Sequence, residues 1–447
     1  NQAEQPDAGF VRLNQHVFTF LQDVMSQRSG ARPTLRLALS GGLDSCVLLH
    51  ALLEAKKTLP FDLQVMHIHH GLSQHADEWA QFCTALCQHH NLPLEVVRVQ
   101  VDKKSGLGIE AAARKVRYEA LLKGHFDGLM LAQHQDDQAE TFLLQLLRGA
   151  GLKGLSAMAS YDPDKQIMRP LLDISRQEIE RYAKHLQLSW VEDESNRDTS
   201  LDRNFCRHVL MPIIEERFPA AQKTLARSAS HVAEAASLLD DLAEIDAQKY
   251  LTEKAFKVDA LQFLSSERAK NLVRWWLAQQ DVVMPSKERL NEMLAQLREA
   301  KSDAKLKIQL GDVLVRRYQG FIYLEREQQN PPISLSWQGE SSLRMPDGSQ
   351  LIFEKKLGQG LALERLGGHK LRIANRAGGE RFKPDLNRPT RTLKYLLQEI
   401  NMPPWQRERL PLVYLDDALA VVPNVGVNCQ MQAAQHEQGL VIIWQPS

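Results

Sequence analysis

Cysteine is scarce in this chain, with five in 447 residues and no C-x-x-C pair. An odd, scattered handful cannot build a disulfide framework, and the missing pair excludes a zinc ribbon or a dithiol redox centre. Cys83 and Cys87 lie four apart among apolar residues, the spacing of a helix core stripe. No apolar run approaches the ~20 residues that a membrane span needs, so no membrane partner is expected. The first ten residues, NQAEQPDAGF, are polar and acidic where a secretory signal would be basic and then apolar, and the expected location is cytoplasmic. Neither sign of charge prevails, 55 Lys and Arg balancing 55 Asp and Glu. Net zero makes no general case for a polyanion partner, although a local basic face would be enough for one. Internal repeats and low-complexity tracts are missing as well.

What is present is an ordinary folded composition, 43% apolar and 25% charged, on a chain too long for one compact core. Between Leu35 and about Leu131 the short β-rich runs LRLALS, LQVMHIHH, LEVVRVQV and GLMLAQH alternate with stretches of helical spacing. Such alternation predicts βαβ units and a parallel sheet covered on both faces. Residues 219–300 read as helices, followed by two runs of strand character, AKLKIQL and VLVRRYQGFIYLE. QQNPPIS at 328–334 is a polar, proline-rich break. Beyond it come short strands and one helix, TLKYLLQEI, stopped by NMPP. The expected fold is α/β: a doubly wound, mostly parallel, Rossmann-like sheet over 1–217, then a mostly helical middle domain ending in a hairpin over 218–328, then a small α+β C-terminal domain over 335–447.

The densest signal is SGGLDS at 40–45, where the strand LRLALS gives way to the helix DSCVLLHALLEA. Gly41 and Gly42 form the turn, and Asp44 and Ser45 fall in the N-cap region. Two glycines allow backbone conformations and a close approach that side chains would block. Free N–H groups at the turn and the first helical turn converge where the helix dipole adds positive potential. The pattern suits an anion cradle, and equally a tight turn with a good cap. It is not a Walker loop, because G-x-x-x-x-G-K-[ST] is absent and no lysine is there to reach a phosphate.

In AQHQDDQAET, His134, Asp137 and Glu140 recur every three residues, on one broad face of a helix that starts where a strand ends. Each alone would pass for a solvated helix position. In AAARKVRYEAL, Arg114 and Arg117 share a face, and phosphate contact or pairing with Glu110 or Glu119 both fit. Arg203 and Arg207, four apart in DRNFCRH, carry the guanidinium forks that suit phosphate oxygens. HIHH sends His67 and His69 to one face of a strand and His70 to the other, with no cysteine or carboxylate at ligand spacing, so zinc is not expected there. GGERFKPDLNRPTRTLKYL gathers Arg381, Lys383, Arg388, Arg391 and Lys394 with few acids, a face for a polyanion or a merely solvated one. Arg316 and Arg317 in VRRY either join it or mark a strand edge.

SGGLDS resembles the pyrophosphate-binding motif of the N-type ATP pyrophosphatases, the PP-loop superfamily, which split ATP between the α and β phosphates and use AMP to activate a carbonyl oxygen. HIHHGL (67–72), GIEAAARKVRYEAL (108–121), LAQHQDDQAETFLLQLLRGAG (131–151), RPLL (169–172) and EDESNRDTSLDRNFCRHVLMP (192–212) narrow this to a resemblance to the tRNA(Ile)-lysidine synthetase family. NRPTRTLKYLLQEINMPPWQRERLPLVY (387–414) is similar to that family's C-terminal domain, so the match covers nearly the whole chain in order.

The resemblance implies a ligase that joins free L-lysine to C2 of the wobble cytidine of tRNA(Ile) with a CAU anticodon. The route is an adenylated cytidine, with release of pyrophosphate and AMP, and reading shifts from AUG to AUA. By the same resemblance Ser40, Gly41, Gly42, Leu43, Asp44 and Ser45 bind ATP, and Asp44 is the candidate for Mg2+. His134, Asp137 and Glu140 take the lysine, while Arg114, Arg117, Arg203, Arg207, Arg391 and Lys394 contact tRNA. Asp44, Asp137, Arg114 and Arg207 form the implied catalytic set, and His69 and His70 border the nucleotide pocket. Fewer lysines surround the helix after Arg391 than is usual in the family, and a homodimer stays open. Thiolation on the same fold would want a cysteine pair or an iron-sulfur ligand set that these five cysteines do not supply. A small-molecule ligase would need no basic C-terminal domain. An RNA binder with a switch-like or dead ATP pocket fits poorly with intact Gly41, Gly42, Asp44 and the acidic helix.

Overall fold

A computed structural model describes residues 8–26, 32–102, 109–252, 255–300, 306–326, 331–387 and 389–446; Arg388 of the basic stretch lies outside them. The chain divides into two compact units, Asn1–Leu239 and Asp240–Ser447.

The first unit opens with α1 (Ala8–Ser26), an element the sequence reading did not anticipate; Leu13, Val17, Leu21 and Val24, at helical spacing, are its buried stripe. There follow β1 (Thr34–Ala38), α2 (Leu43–Lys56), β2 (Asp62–His69), α3 (Ala76–His89), β3 (Leu94–Arg98), α4 (Ile109–Leu121), β4 (Gly128–Met130), α5 (Gln135–Leu147), α6 (Leu152–Leu155), β5 (Tyr161–Asp162), β6 (Ile167–Met168) and α7 (Arg176–His185). The sheet runs β3-β2-β1-β4-β6-β5, parallel except for β5 at the edge. Alternation along β2 sends Leu63 and Val65 into the core shared with α1, α2, α3 and α7, and Met66 into the core beneath α4, so both faces are covered. Strand order reverses between β1 and β4, and in open α/β sheets ligands bind beyond the strand ends at such a switch point. The loops that leave β1 and β4 are the ones carrying SGGLDS and AQHQDD.

The second unit holds two separate apolar cores. In one, helices Ser266–Gln279 and Lys287–Glu299 pack on a four-stranded sheet whose central hairpin, Val313–Tyr318 and Phe321–Arg326, turns at Gln319 and Gly320. In the other, antiparallel sheets of five and four strands surround helix Leu393–Glu399. That helix does stop at NMPP, as expected, but Pro404 then opens a second helix, Pro404–Arg409, at a position where its missing N–H costs nothing. The expected boundary at 217/218 and the observed division at 239/240 bracket the start of one long helix, Ala221–Tyr250, which runs through the division.

A seam ties these two cores together. Glu325 of the hairpin pairs with Arg316 and accepts from Arg409 of the late helix. The Arg316 guanidinium lies 5.0 Å from the Trp405 ring centroid, and Arg407 donates to Tyr318 Oη at 2.6 Å. Arg317 donates to the carbonyls of Leu297 and Ala300, capping helix Lys287–Glu299. Arg316 and Arg317 are therefore internal fasteners on a central strand, which corrects both alternatives, a shared basic surface and a strand edge. Among the described residues no helix is long and apolar enough to cross a membrane.

Candidate active site

The turn after β1 is built around Gly41. Its φ is +87°, and a Cβ there would lie 3.0 Å from Val191 Cγ2 and 3.2 Å from Cys83 Sγ, so conformation and packing both require glycine. Gly42, in ordinary extended geometry, is the N-cap of α2, and no side chain caps the helix. Ser40 Oγ accepts from the Gly42 N–H at 3.3 Å and sits 3.1 Å from Ser45 Oγ, which donates to the Gly42 carbonyl at 2.9 Å. Asp44 does not share the capping role its position suggested. Its carboxylate turns to Arg176, whose Nη1 donates to Oδ1 at 2.7 Å and Oδ2 at 2.8 Å. Burial pushes the Asp44 carboxyl above its ordinary range, against the pull of His134 and Arg176.

Across the switch point, His134 is the N-cap of α5, and its N–H donates to Asp137 Oδ2 at 3.1 Å. One turn along, Asp137 and Glu140 face Arg203 and Arg207, which are presented by the short helix Asp202–Phe205 and the π-turn Cys206–Leu210 that continues it. Nη2 of both arginines donates to Asp137 Oδ1 at 2.9 Å. Arg203 Nε donates to Glu140 Oε2 at 3.1 Å, and Arg207 Nε to Glu140 Oε1 at 2.6 Å. Burial alone would push the Asp137 carboxyl up, but His134, Arg203, Arg207 and the His134 amide together hold it below its ordinary range. The same carboxylates raise both guanidinium pKa values in spite of burial. His134 Nε2 lies between the two acids, 3.8 Å from Asp44 Oδ2 and 3.5 Å from Asp137 Oδ2.

These groups line one cavity of about 710 Å³, within the range of small-molecule sites. Ser40, Gly42, Leu43, Asp44, Ser45, His69, His70, Arg114 and Arg117 border it with the acidic helix and Arg203 and Arg207. Arg114 and Arg117 are exposed at its edge, near the Tyr118 ring. Arg391 and Lys394 belong to the second unit, where Arg391 pairs with Glu399 at 3.4 Å and lies over Tyr395, while Lys394 is exposed. The HIHH histidines are hydrogen-bonded: His67 to the Leu39 carbonyl, His69 to Asp77. All five cysteines are free and buried, and burial pushes Cys46 up to about 12 and Cys87 to about 11, which leaves them as core thiols.

Sequence reasoning missed Arg176, Asp136 and Arg169. Asp136 Oδ1 accepts the Arg176 N–H at 3.1 Å, and Arg169 of RPLL donates to Gln133 beside His134 at 2.5 Å. A signal for Arg176 was legible, since S-R-Q-E at 175–178 is a capping box that places it in a first helical turn.

Family profiles match the chain in three places: a PP-loop domain over residues 13–214, a TilS substrate binding domain over 256–323 and a TilS substrate C-terminal domain over 371–444. A tRNA(Ile)-lysidine synthase of Nitrosomonas europaea is 43% identical over 94% of both chains. This chain belongs to that family. Lysidine synthases of Azoarcus sp. (41% identical, 96% of this chain and 95% of that one) and Serratia proteamaculans (40%, 94% and 97%) extend the similarity over the same length. In a lysidine synthase frame the cradle and the acidic helix both fall in the PP-loop domain, and the contacts of Arg316 with Trp405 and of Tyr318 with Arg407 join the two substrate domains.

Proposed function

We propose that the cavity of the first unit carries out both halves of lysidine formation on tRNA(Ile) with a CAU anticodon. The observation behind this is the meeting, at one switch point, of an anion cradle and a buried acid-arginine cluster. The C2 oxygen of cytidine is a poor leaving group. Its attack on the α phosphorus of ATP forms a C2–O–P bond and expels pyrophosphate. Attack of the lysine ε-amine on C2 then expels AMP. Ser40 to Ser45 hold the β and γ phosphates through backbone N–H groups and the dipole of α2. Asp44 supplies hard carboxylate oxygen beside them, a donor suited to magnesium, which typically takes one or two carboxylates together with substrate phosphates. When bound, magnesium would neutralise charge developing on the pyrophosphate.

Free lysine arrives as an ammonium, with a reference pKa of about 10.4. Asp137 and Glu140 are its partners, and because each already accepts from Arg203 and Arg207, the ammonium enters by displacing one guanidinium toward RNA phosphate. The cations around Asp137 make it a firm anion and a weak base. His134 Nε2, 3.8 Å from Asp44 Oδ2 and 3.5 Å from Asp137 Oδ2, is placed to take the proton that the amine must lose. Arg114 and Arg117 at the cavity edge, with Arg391 and Lys394 on the second unit, contact the tRNA backbone. This chemistry belongs to the cytoplasm, where ATP, lysine and uncharged tRNA meet.

The test is incubation with ATP, labelled lysine and unmodified tRNA(Ile), omitting each in turn. Label should enter the RNA only in the complete mixture, with one AMP and one pyrophosphate released per lysine. Pyrophosphate release without tRNA, or RNA binding with no labelling, would return the chain to an ATP switch or a plain RNA binder.

A further inference from the structure

The cradle has no lysine, so backbone N–H groups alone would have to balance a triphosphate beside the negative charge of Asp44. The fold brings another cation to the first turn of α2. Arg176 is the first residue of α7, 132 positions after Asp44, and the helix start is pinned by the Ser175–Glu178 capping box and by Asp136, which accepts the Arg176 N–H. The side chain is aimed with equal care. Nη1 serves both Asp44 oxygens and Nε donates to Glu180 Oε1 at 3.2 Å, whereas Nη2 makes no hydrogen bond among the described residues. Arg176 is 39% exposed and lines the cavity together with Ser40, Gly42 and Ser45.

We propose that Arg176 is a phosphate-binding residue of this site: its uncommitted Nη2 takes oxygens of the β and γ phosphates and of the departing pyrophosphate, the task a lysine performs in a Walker loop. This deepens the nucleotide reading above and rests on it. A guanidinium suits the role, since one edge can stay on Asp44 while the other donates to phosphate. The Asp44 pair has a double effect. It orients the fork, and it cancels a carboxylate charge that would otherwise repel the nucleotide.

The experiment is calorimetric titration of ATP, inorganic pyrophosphate and AMP into wild type, Arg176→Gln and Arg176→Lys at one fixed magnesium concentration, with thermal melting of each protein. Arg176→Gln should weaken ATP and pyrophosphate binding about tenfold, the usual scale for a lost charged hydrogen bond, and leave AMP within about twofold. Arg176→Lys should regain part of the pyrophosphate affinity. Unchanged pyrophosphate binding in Arg176→Gln, or an equal loss for AMP with native melting, would overturn the assignment and leave Arg176 a mere brace for Asp44. Wild type that binds neither ATP nor pyrophosphate would instead remove the nucleotide reading, and this proposal with it.

Discussion

Two clusters in this chain are assembled from the same parts. In the cavity, Asp137 and Glu140 are clasped by Arg203 and Arg207; in the seam of the second unit, Glu325 is clasped by Arg316 and Arg409. The acids are equally hidden, Glu140 with 3% and Glu325 with 8% of its side chain exposed. What differs is the border. Arg203 and Arg207 line the cavity, while Arg316, as exposed as Arg203, stacks on the Trp405 ring and Arg409 reaches Glu325 from the late helix. An arginine beside a cavity can exchange its carboxylate for a substrate group, because water and ligand reach it. One stacked on an aromatic ring and spent on a buried acid serves as a brace. Ion-pair geometry alone would assign both clusters the same role; the space next to each separates site from fastener.

The contrast can be broken most severely in the cavity. Asp137→Asn should cut lysidine formation by about a thousandfold, the upper range for loss of one preorganised electrostatic partner, while adenylated tRNA still forms; assays with and without lysine separate the steps. Equal loss of both steps would merge the two halves of the site. In the seam, Glu325→Gln removes the buried carboxylate that Arg316 and Arg409 share and should lower unfolding free energy by about 3–5 kcal/mol in denaturant titration. Nucleotide binding should not change, and if it did, the seam would be no mere fastener. A smaller effect is expected from Arg391 and Lys394 replaced together by alanine: the slope of log affinity for tRNA against log salt should flatten by about two. An unchanged slope would make them a solvated face.

Acidification draws a finer line inside the cavity. Asp44, its pKa raised above the usual 3.8, takes a proton first, so AMP release should fall as pH drops through a value above 3.8. Asp137 is depressed, so its contribution to stability is complete above 3.8 and is lost only as pH falls through its lower folded value. A pH profile of AMP release beside an acid unfolding curve distinguishes them; coincident midpoints would contradict the opposite shifts.

The parts of the fold set by local periodicity were legible in the sequence. The β-rich runs became β1 to β4, His134, Asp137 and Glu140 did share a face of α5, and Gly41 proved to need its left-handed backbone. What could not be read was pairing across long separations. Nothing local says that Arg176 will meet Asp44, or that Arg203 and Arg207, read as phosphate ligands, will spend their forks on the two acids. The two readings of VRRY failed for the same reason: Arg316 finds its counterion, Glu325, on the neighbouring strand and Trp405 on a helix much later in the chain, while Arg317 spends itself on the end of an earlier helix. The helix Pro404–Arg409 was overlooked because the proline pair was read only as the stop of one helix, when it also starts the next.

The most direct test of a cavity with two working sides uses ATP labelled at the α phosphate, unmodified tRNA(Ile) and no lysine, followed by a lysine chase. Wild type should transfer label to the RNA and lose it on the chase; Asp44→Asn should transfer none; Asp137→Asn should transfer label and keep it. If Asp44→Asn still labelled the RNA, or Asp137→Asn released the label as fast as wild type, the cradle and the acidic helix would not be the two halves of one reaction.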